Sequence, residues 1–197
     1  MDASKFQLER DIVDRFMREL GYIQFSLSDP NAGQKADSGA DVLLDMDGRR
    51  YGIQVTIYHS DEGSMPAQRG SLLRSQESAY KSWPTAYAMS AKPSPWTGLV
   101  HRLQSKCSKA YSQTVFDELV LLVAASVPQW PGVASTMLLD LALDLNKMNV
   151  TLSPILKTSH YSSAYLYNMM GVGGPSIYEW TRESGVWRKI PRQGSAG

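Results

Sequence analysis

Apolar positions recur with a helical period from about Phe6 to Leu20. Phe6, Val13, Phe16, Met17 and Leu20 form one stripe, with Ile12 at its margin. Ser4 and Gln7 offer a capping box ahead of the stripe and Gly21 a C-terminal stop, which together predict an amphipathic helix. Glu9 falls inside the apolar stripe. From Ser26 to Ala40 the chain turns polar, with Asp29-Pro30 and Asn31-Ala32-Gly33 as turn signals, and a loop is expected. Two β-type runs follow, Asp41–Met46 and Tyr51–Tyr58, joined through Asp47-Gly48, a favoured pair for a two-residue type I′ hairpin.

Further along, the pattern predicts a helix from about Arg69 to Trp83, ended by Pro84, and another from Thr97 to Tyr111 with Leu99, Val100, Leu103, Cys107 and Ala110 on one side. Glu118–Ala125 is an unbroken apolar run of strand length, suited to a strand covered on both faces. Ser135–Asn149 reads as a helix through Met137, Leu138, Leu141 and Leu145. Short strands are expected at Ala164–Asn168, Ser176–Trp180 and Trp187–Ile190, with a turn at Gly171–Pro175.

A hairpin is also a ruler. A turn at Asp47-Gly48 pairs Met46 with Arg49, then Leu43 with Gly52, and sets Asp41 opposite Gln54. Gln54, Thr56 and Tyr58 then share one face of the strand, and Ile53, Val55 and Ile57 the other. If the first helix packs on this sheet, Glu9 approaches Asp41. A buried carboxylate demands a partner. A hard divalent cation, Mg²⁺ or Mn²⁺, fits a set of Glu9, Asp41, Gln54 and the Val55 carbonyl, and such an ion supports phosphodiester hydrolysis.

The glutamate-bearing helix, Gly39-Ala40-Asp41, the hairpin, Ile53-Gln54-Val55-Thr56, a helix and the strand at 118–125 together resemble the PD-(D/E)xK, or restriction-endonuclease-like, superfamily over roughly residues 5–125. The resemblance implies an α-β-β-β-α-β core, with a mixed central sheet flanked by helices and a C-terminal α+β extension. Residues 1–125 would be the core, 126–192 an extension packed on the same domain and 193–197 a tail. It also implies metal ligation by Asp41 and Gln54 assisted by Glu9, glutamine being found at the second position in Mrr-like members. One position departs from the pattern: where the family has a lysine that orients water and stabilises negative charge, this chain has Thr56, a neutral group. Catalysis then calls on Lys35, or on His59, Arg69 or Arg74 reaching in from beyond the second strand.

Composition changes this picture only modestly. The chain has 197 residues, enough for one domain, and its net charge of +1 gives no global attraction to nucleic acid. Binding must use a local patch. Arg102, Lys106 and Lys109 lie on one helical face, and Arg69 and Arg74 could join them as phosphate contacts; a solvated basic face is the plainer reading. Tyr161, Tyr165, Tyr167, Tyr178 and Trp180 alternate as sheet-packing residues do, the rival use being base stacking. A single cysteine excludes an internal disulfide, and no apolar run approaches a membrane span, so a cytoplasmic protein is expected. Two functions follow. One is a metal-dependent endonuclease or exonuclease acting on DNA in preference to RNA. The other is a catalytically silent module of the same fold that binds nucleic acid or protein, as in phage defence or counter-defence, with a homodimer or a protein partner as open alternatives.

Overall fold

The computed structural model describes residues 3–30, 39–58, 95–109, 111, 116–125, 143–169 and 174–191. Helix α1 spans Ala3–Glu19, beginning three residues before Phe6, so that Ser4 lies within it and not at a capping box ahead of it. Gly21 ends it in the left-handed region, φ 87°, and the chain closes in a Schellman motif: Tyr22 N–H donates to the Met17 carbonyl at 3.0 Å and Gly21 N–H to the Arg18 carbonyl at 2.9 Å. Ile12, Val13, Phe16 and Met17 are its buried stripe, while Phe6 and Leu20 are half-buried.

The hairpin follows its predicted register. Strands β2 (Val42–Met46) and β3 (Arg49–Tyr58) pair from Met46↔Arg49 to Val42↔Ile53. Both turn residues have positive φ, 52° at Asp47 and 75° at Gly48, as a type I′ turn requires. Ahead of it, β1 (Ser26–Ser28) occupies part of the segment expected to be loop, pairing antiparallel with Leu43–Asp45. Its polar composition hid it: a short edge strand is held by the ladder rather than by its side chains.

Helix α2 spans Pro95–Cys107, with proline at its first position, where a missing N–H costs nothing. Strand β4 (Glu118–Ala125) runs parallel to β3 on one side and to β5 (Ser163–Asn168) on the other. The helix expected at 135–149 is corrected in part. Leu143 and Asp144 are not helical, and α3 spans Leu145–Lys157, with the Asp144 side chain accepting from Lys147 N–H at 2.9 Å as N-cap. Met148, Leu152 and Leu156 are fully buried at i, i+4, i+8 spacing, while Pro154 is exposed, so tertiary packing overrides the break that proline signals. Strands β6 (Ser176–Thr181) and β7 (Trp187–Ile190) complete the sheet. The helix predicted at 69–83 and residues 135–142 lie outside the described residues.

The result is an α/β architecture with one seven-stranded mixed sheet in the order β1-β2-β3-β4-β5-β6-β7. Alternation along β4 makes both cores. Leu119, Leu121 and Val123 meet Trp96, Leu99 and Leu103 of α2 and Met148 and Leu152 of α3; Val120, Leu122 and Ala124 share the opposite layer with Ile12, Val13 and Phe16 of α1. Every residue of β4 after Glu118 is buried, as its unbroken apolar run predicted. The strands after β4 continue the same sheet. Among the described residues no helix is long and apolar enough to cross a membrane.

Candidate functional site

β3 outruns β2. Where β2 stops at Val42, the backbone of β3 continues and its amides need acceptors. Asp41 supplies one: its Oδ2 accepts from Val55 N–H at 2.9 Å, while its own N–H donates to the Ile53 carbonyl at 2.9 Å, one residue out of the hairpin register. The carboxylate is thereby fixed at the edge where the ladder ends. Gly39, two residues earlier, adopts φ 80° beneath the Tyr111 ring, turning the chain into this position.

Glu9 comes to the same place from α1. The Lys5 ammonium lies 3.1 Å from Glu9 Oε1 and 3.5 Å from Asp41 Oδ1, so the two carboxylate oxygens are no farther apart than the sum of those lengths. Helical phase led to this approach of Glu9 to Asp41; the expected pairing of Asp41 with Gln54 does not accompany it, because Asp41 leaves the hairpin register by one residue. Glu9 is only 4% exposed, and its Oε2 has no hydrogen-bond partner among the described residues. Burial, and then the charge of Asp41, raise the Glu9 pKa despite Lys5. The Asp41 pKa is also raised by burial, against the pull of Lys5, of Lys106 on α2 and of the Val55 N–H. Burial disfavours the charge on Lys5, but the two carboxylates outweigh it and its pKa rises. Lys106 is shifted down, chiefly by burial, with Lys109, Arg102 and Lys5 adding repulsion. Two acids and two lysines thus share one partly dehydrated corner.

Gln54 does not join the Glu9 carboxylate. It points to the face of α2 and α3, where Nε2 donates to the Gly39 carbonyl at 3.1 Å and to the Tyr111 hydroxyl at 2.8 Å, and Oε1 accepts from the Tyr161 hydroxyl. The Tyr111 hydroxyl also lies 3.0 Å from Oε1. The amide is satisfied by protein and would surrender these bonds to ligate an ion. Burial drives the Tyr161 pKa far above its ordinary value, so that hydroxyl stays a donor. Thr56 is 3% exposed and its hydroxyl has no partner among the described residues. Val55 contributes its N–H to the site through Asp41.

The remaining candidates separate. Lys35, His59, Arg69 and Arg74 lie outside the described residues. Arg102 and Lys106 are half-buried on α2 and Lys109 is exposed just past its end. Tyr161, Tyr167, Tyr178 and Trp180 are buried in the sheet layers, which favours packing over base stacking. The Cys107 thiol is pushed up to about 11 by burial, as an inert core thiol would be. A cavity of about 640 Å³ opens at the other end of α1, among Phe16, Leu20, Tyr51, Tyr165 and Glu179. Its buried carboxylate, Glu179, is paired with the Tyr165 hydroxyl and Arg188, so the unsatisfied buried carboxylate among the described residues is Glu9 instead.

Sequence reasoning missed Lys5 and Tyr111. The i, i+4 spacing of Lys5 and Glu9 was a usable signal for the first; Tyr111, which holds Gln54 from the segment after α2, had none. Neither family models, curated protein sequences nor solved structures yield a match to this chain.

Proposed function

We propose that this protein is a divalent-metal-dependent nuclease of restriction-endonuclease-like fold, acting on DNA in preference to RNA in the cytoplasm. The observation that carries the reading is the Glu9–Asp41 pair: two carboxylates from separate elements, drawn together in a dehydrated corner, with Glu9 Oε2 unpartnered among the described residues. The order α1, β1, β2, β3, α2, β4 among the described residues supports the fold assignment. The carboxylates fit Mg²⁺ or Mn²⁺, which is often held by one or two carboxylates and several waters. Gln54, engaged by Gly39, Tyr111 and Tyr161, does not fit as a ligand. No group of three or more His, Cys, Asp or Glu residues arranged to hold a metal occurs among the described residues, so water would complete the shell.

When bound, Mg²⁺ or Mn²⁺ supplies Lewis acidity toward a phosphodiester and lowers the pKa of water. The chain's own residues do the rest. Val55 N–H orients Asp41; Lys106, close enough to stabilise the Asp41 charge, offers the positive field that Thr56 cannot give to charge developing on a phosphate. Arg102 and Lys109 on the same flank contact backbone phosphates.

A second reading, a catalytically silent module that binds nucleic acid, is favoured by one observation: the Gln54 and Thr56 side chains of β3 are buried rather than presented to a cleft. One assay separates the two. Single- and double-stranded DNA and RNA are incubated with Mg²⁺ or Mn²⁺ and wild type or Asp41→Ala protein. Metal-dependent cutting lost in the variant supports the nuclease. Salt-sensitive binding without cutting under any condition supports the silent module and overturns the nuclease.

A further inference from the structure

Among the described residues, the cation that holds the carboxylate pair together is Lys5, and its placement is asymmetric. Glu9 is 4% exposed and sits on the buried side of α1, one turn before Ile12 and Val13; Asp41 is tied to Val55 N–H. Neither acid can leave. The Lys5 side chain, in contrast, is 56% exposed and sits in the first turn of α1, from which it can swing into solvent without opening the core. Among the described residues Lys5 is the one cation in contact with both acids, Lys106 acting on them only from a distance. Each contact with Lys5 uses one oxygen, Glu9 Oε1 and Asp41 Oδ1, leaving buried Glu9 Oε2 without a partner among the described residues. A divalent cation matches the charge of both acids and supplies a partner for oxygens that an ammonium at 3.1 and 3.5 Å leaves weakly served.

We propose that Lys5 is the resident counter-ion of the Glu9–Asp41 site and competes with the divalent cation for it, so that cation binding requires the ammonium to swing out. The inference rests on the metal reading above and adds to it a built-in limit on affinity. Without cation, Lys5 lessens the repulsion between the acids. With cation, the released ammonium joins Lys106, Lys109 and Arg102 on the flank proposed to meet phosphate.

The test measures melting temperature of the full chain against MnCl₂ or MgCl₂ at constant ionic strength, for wild type, Lys5→Met, Lys5→Gln, Lys5→Arg and Asp41→Asn. Methionine and glutamine keep helix propensity while removing the charge, and the two variants guard against a folding defect peculiar to either. The expected result is a half-saturating Mn²⁺ concentration lower by about three- to tenfold in Lys5→Met and Lys5→Gln, the size expected of losing partly exposed ion pairs. Lys5→Arg should stay near wild type and Asp41→Asn should lose the metal-dependent rise. Equal half-saturation in wild type, Lys5→Met and Lys5→Gln would overturn the competition while leaving the metal site standing. No metal-dependent rise in any chain would overturn both the competition and the metal reading.

Discussion

Replacing Gln54 by glutamate distinguishes a ligand from a structural hub. In the structure the Gln54 Nε2 donates to the Gly39 carbonyl at 3.1 Å and the Tyr111 hydroxyl at 2.8 Å. Glutamate has no such donor when ionised. Tyr111 can turn its proton toward the new oxygen, but the Gly39 carbonyl is left facing another acceptor, at a cost of about 1–3 kcal/mol. The side chain is only 6% exposed, so the introduced carboxyl should have a raised pKa, each unit of which costs about 1.4 kcal/mol once the pH exceeds it. A shift of one to two units brings the total loss to about 2–6 kcal/mol at pH 8. Because the folded-state pKa is the higher one, the second part should vanish near pH 4, where both states are protonated, and grow as pH rises. Urea denaturation of wild type and Gln54→Glu at pH 4 and pH 8 reads both quantities. Stability within about 0.5 kcal/mol of wild type at pH 8, or a larger Mn²⁺-dependent rise in melting temperature than wild type shows, would refute the hub and restore Gln54 as a ligand.

Two further predictions follow from the same corner. Gly39→Ala forces a side chain into φ 80° and places its Cβ inside the Tyr111 ring, so it should destabilise by about 2–4 kcal/mol from backbone strain and overpacking, read as a lower urea midpoint with an unchanged slope. Glu9→Gln should gain stability relative to wild type as pH rises from 4 to 8. The wild-type Glu9 pKa is raised on folding, so the native state holds its proton more tightly than the unfolded chain and loses stability above the unfolded value near 4.5, a loss the amide cannot suffer. Parallel melting-temperature profiles for the two proteins across that range would contradict the assignment of a buried, poorly compensated carboxylate.

The sequence by itself determined the elements whose patterns are local. The α1 stripe, the Gly21 stop, the type I′ turn and the doubly buried β4 all follow from residue spacing and turn chemistry, and hairpin geometry carried the β2–β3 register through Val42↔Ile53. Helical phase also brought Glu9 toward Asp41. The failures are where tertiary contacts outvote local preference. β1 is a polar three-residue strand recruited by the edge of β2, and α3 runs through Pro154 because Met148, Leu152 and Leu156 fill the layer beneath it. The fate of Gln54 was likewise decided in three dimensions. Its face could be counted from the turn, but that Tyr111 and Tyr161, 57 and 107 residues away in sequence, would saturate its amide is a property of packing across the sheet. Lys5 marks the boundary between the two: its spacing to Glu9 is written in the helix, and only the folded edge of β3, with Asp41 anchored by Val55, makes it the shared cation of two acids.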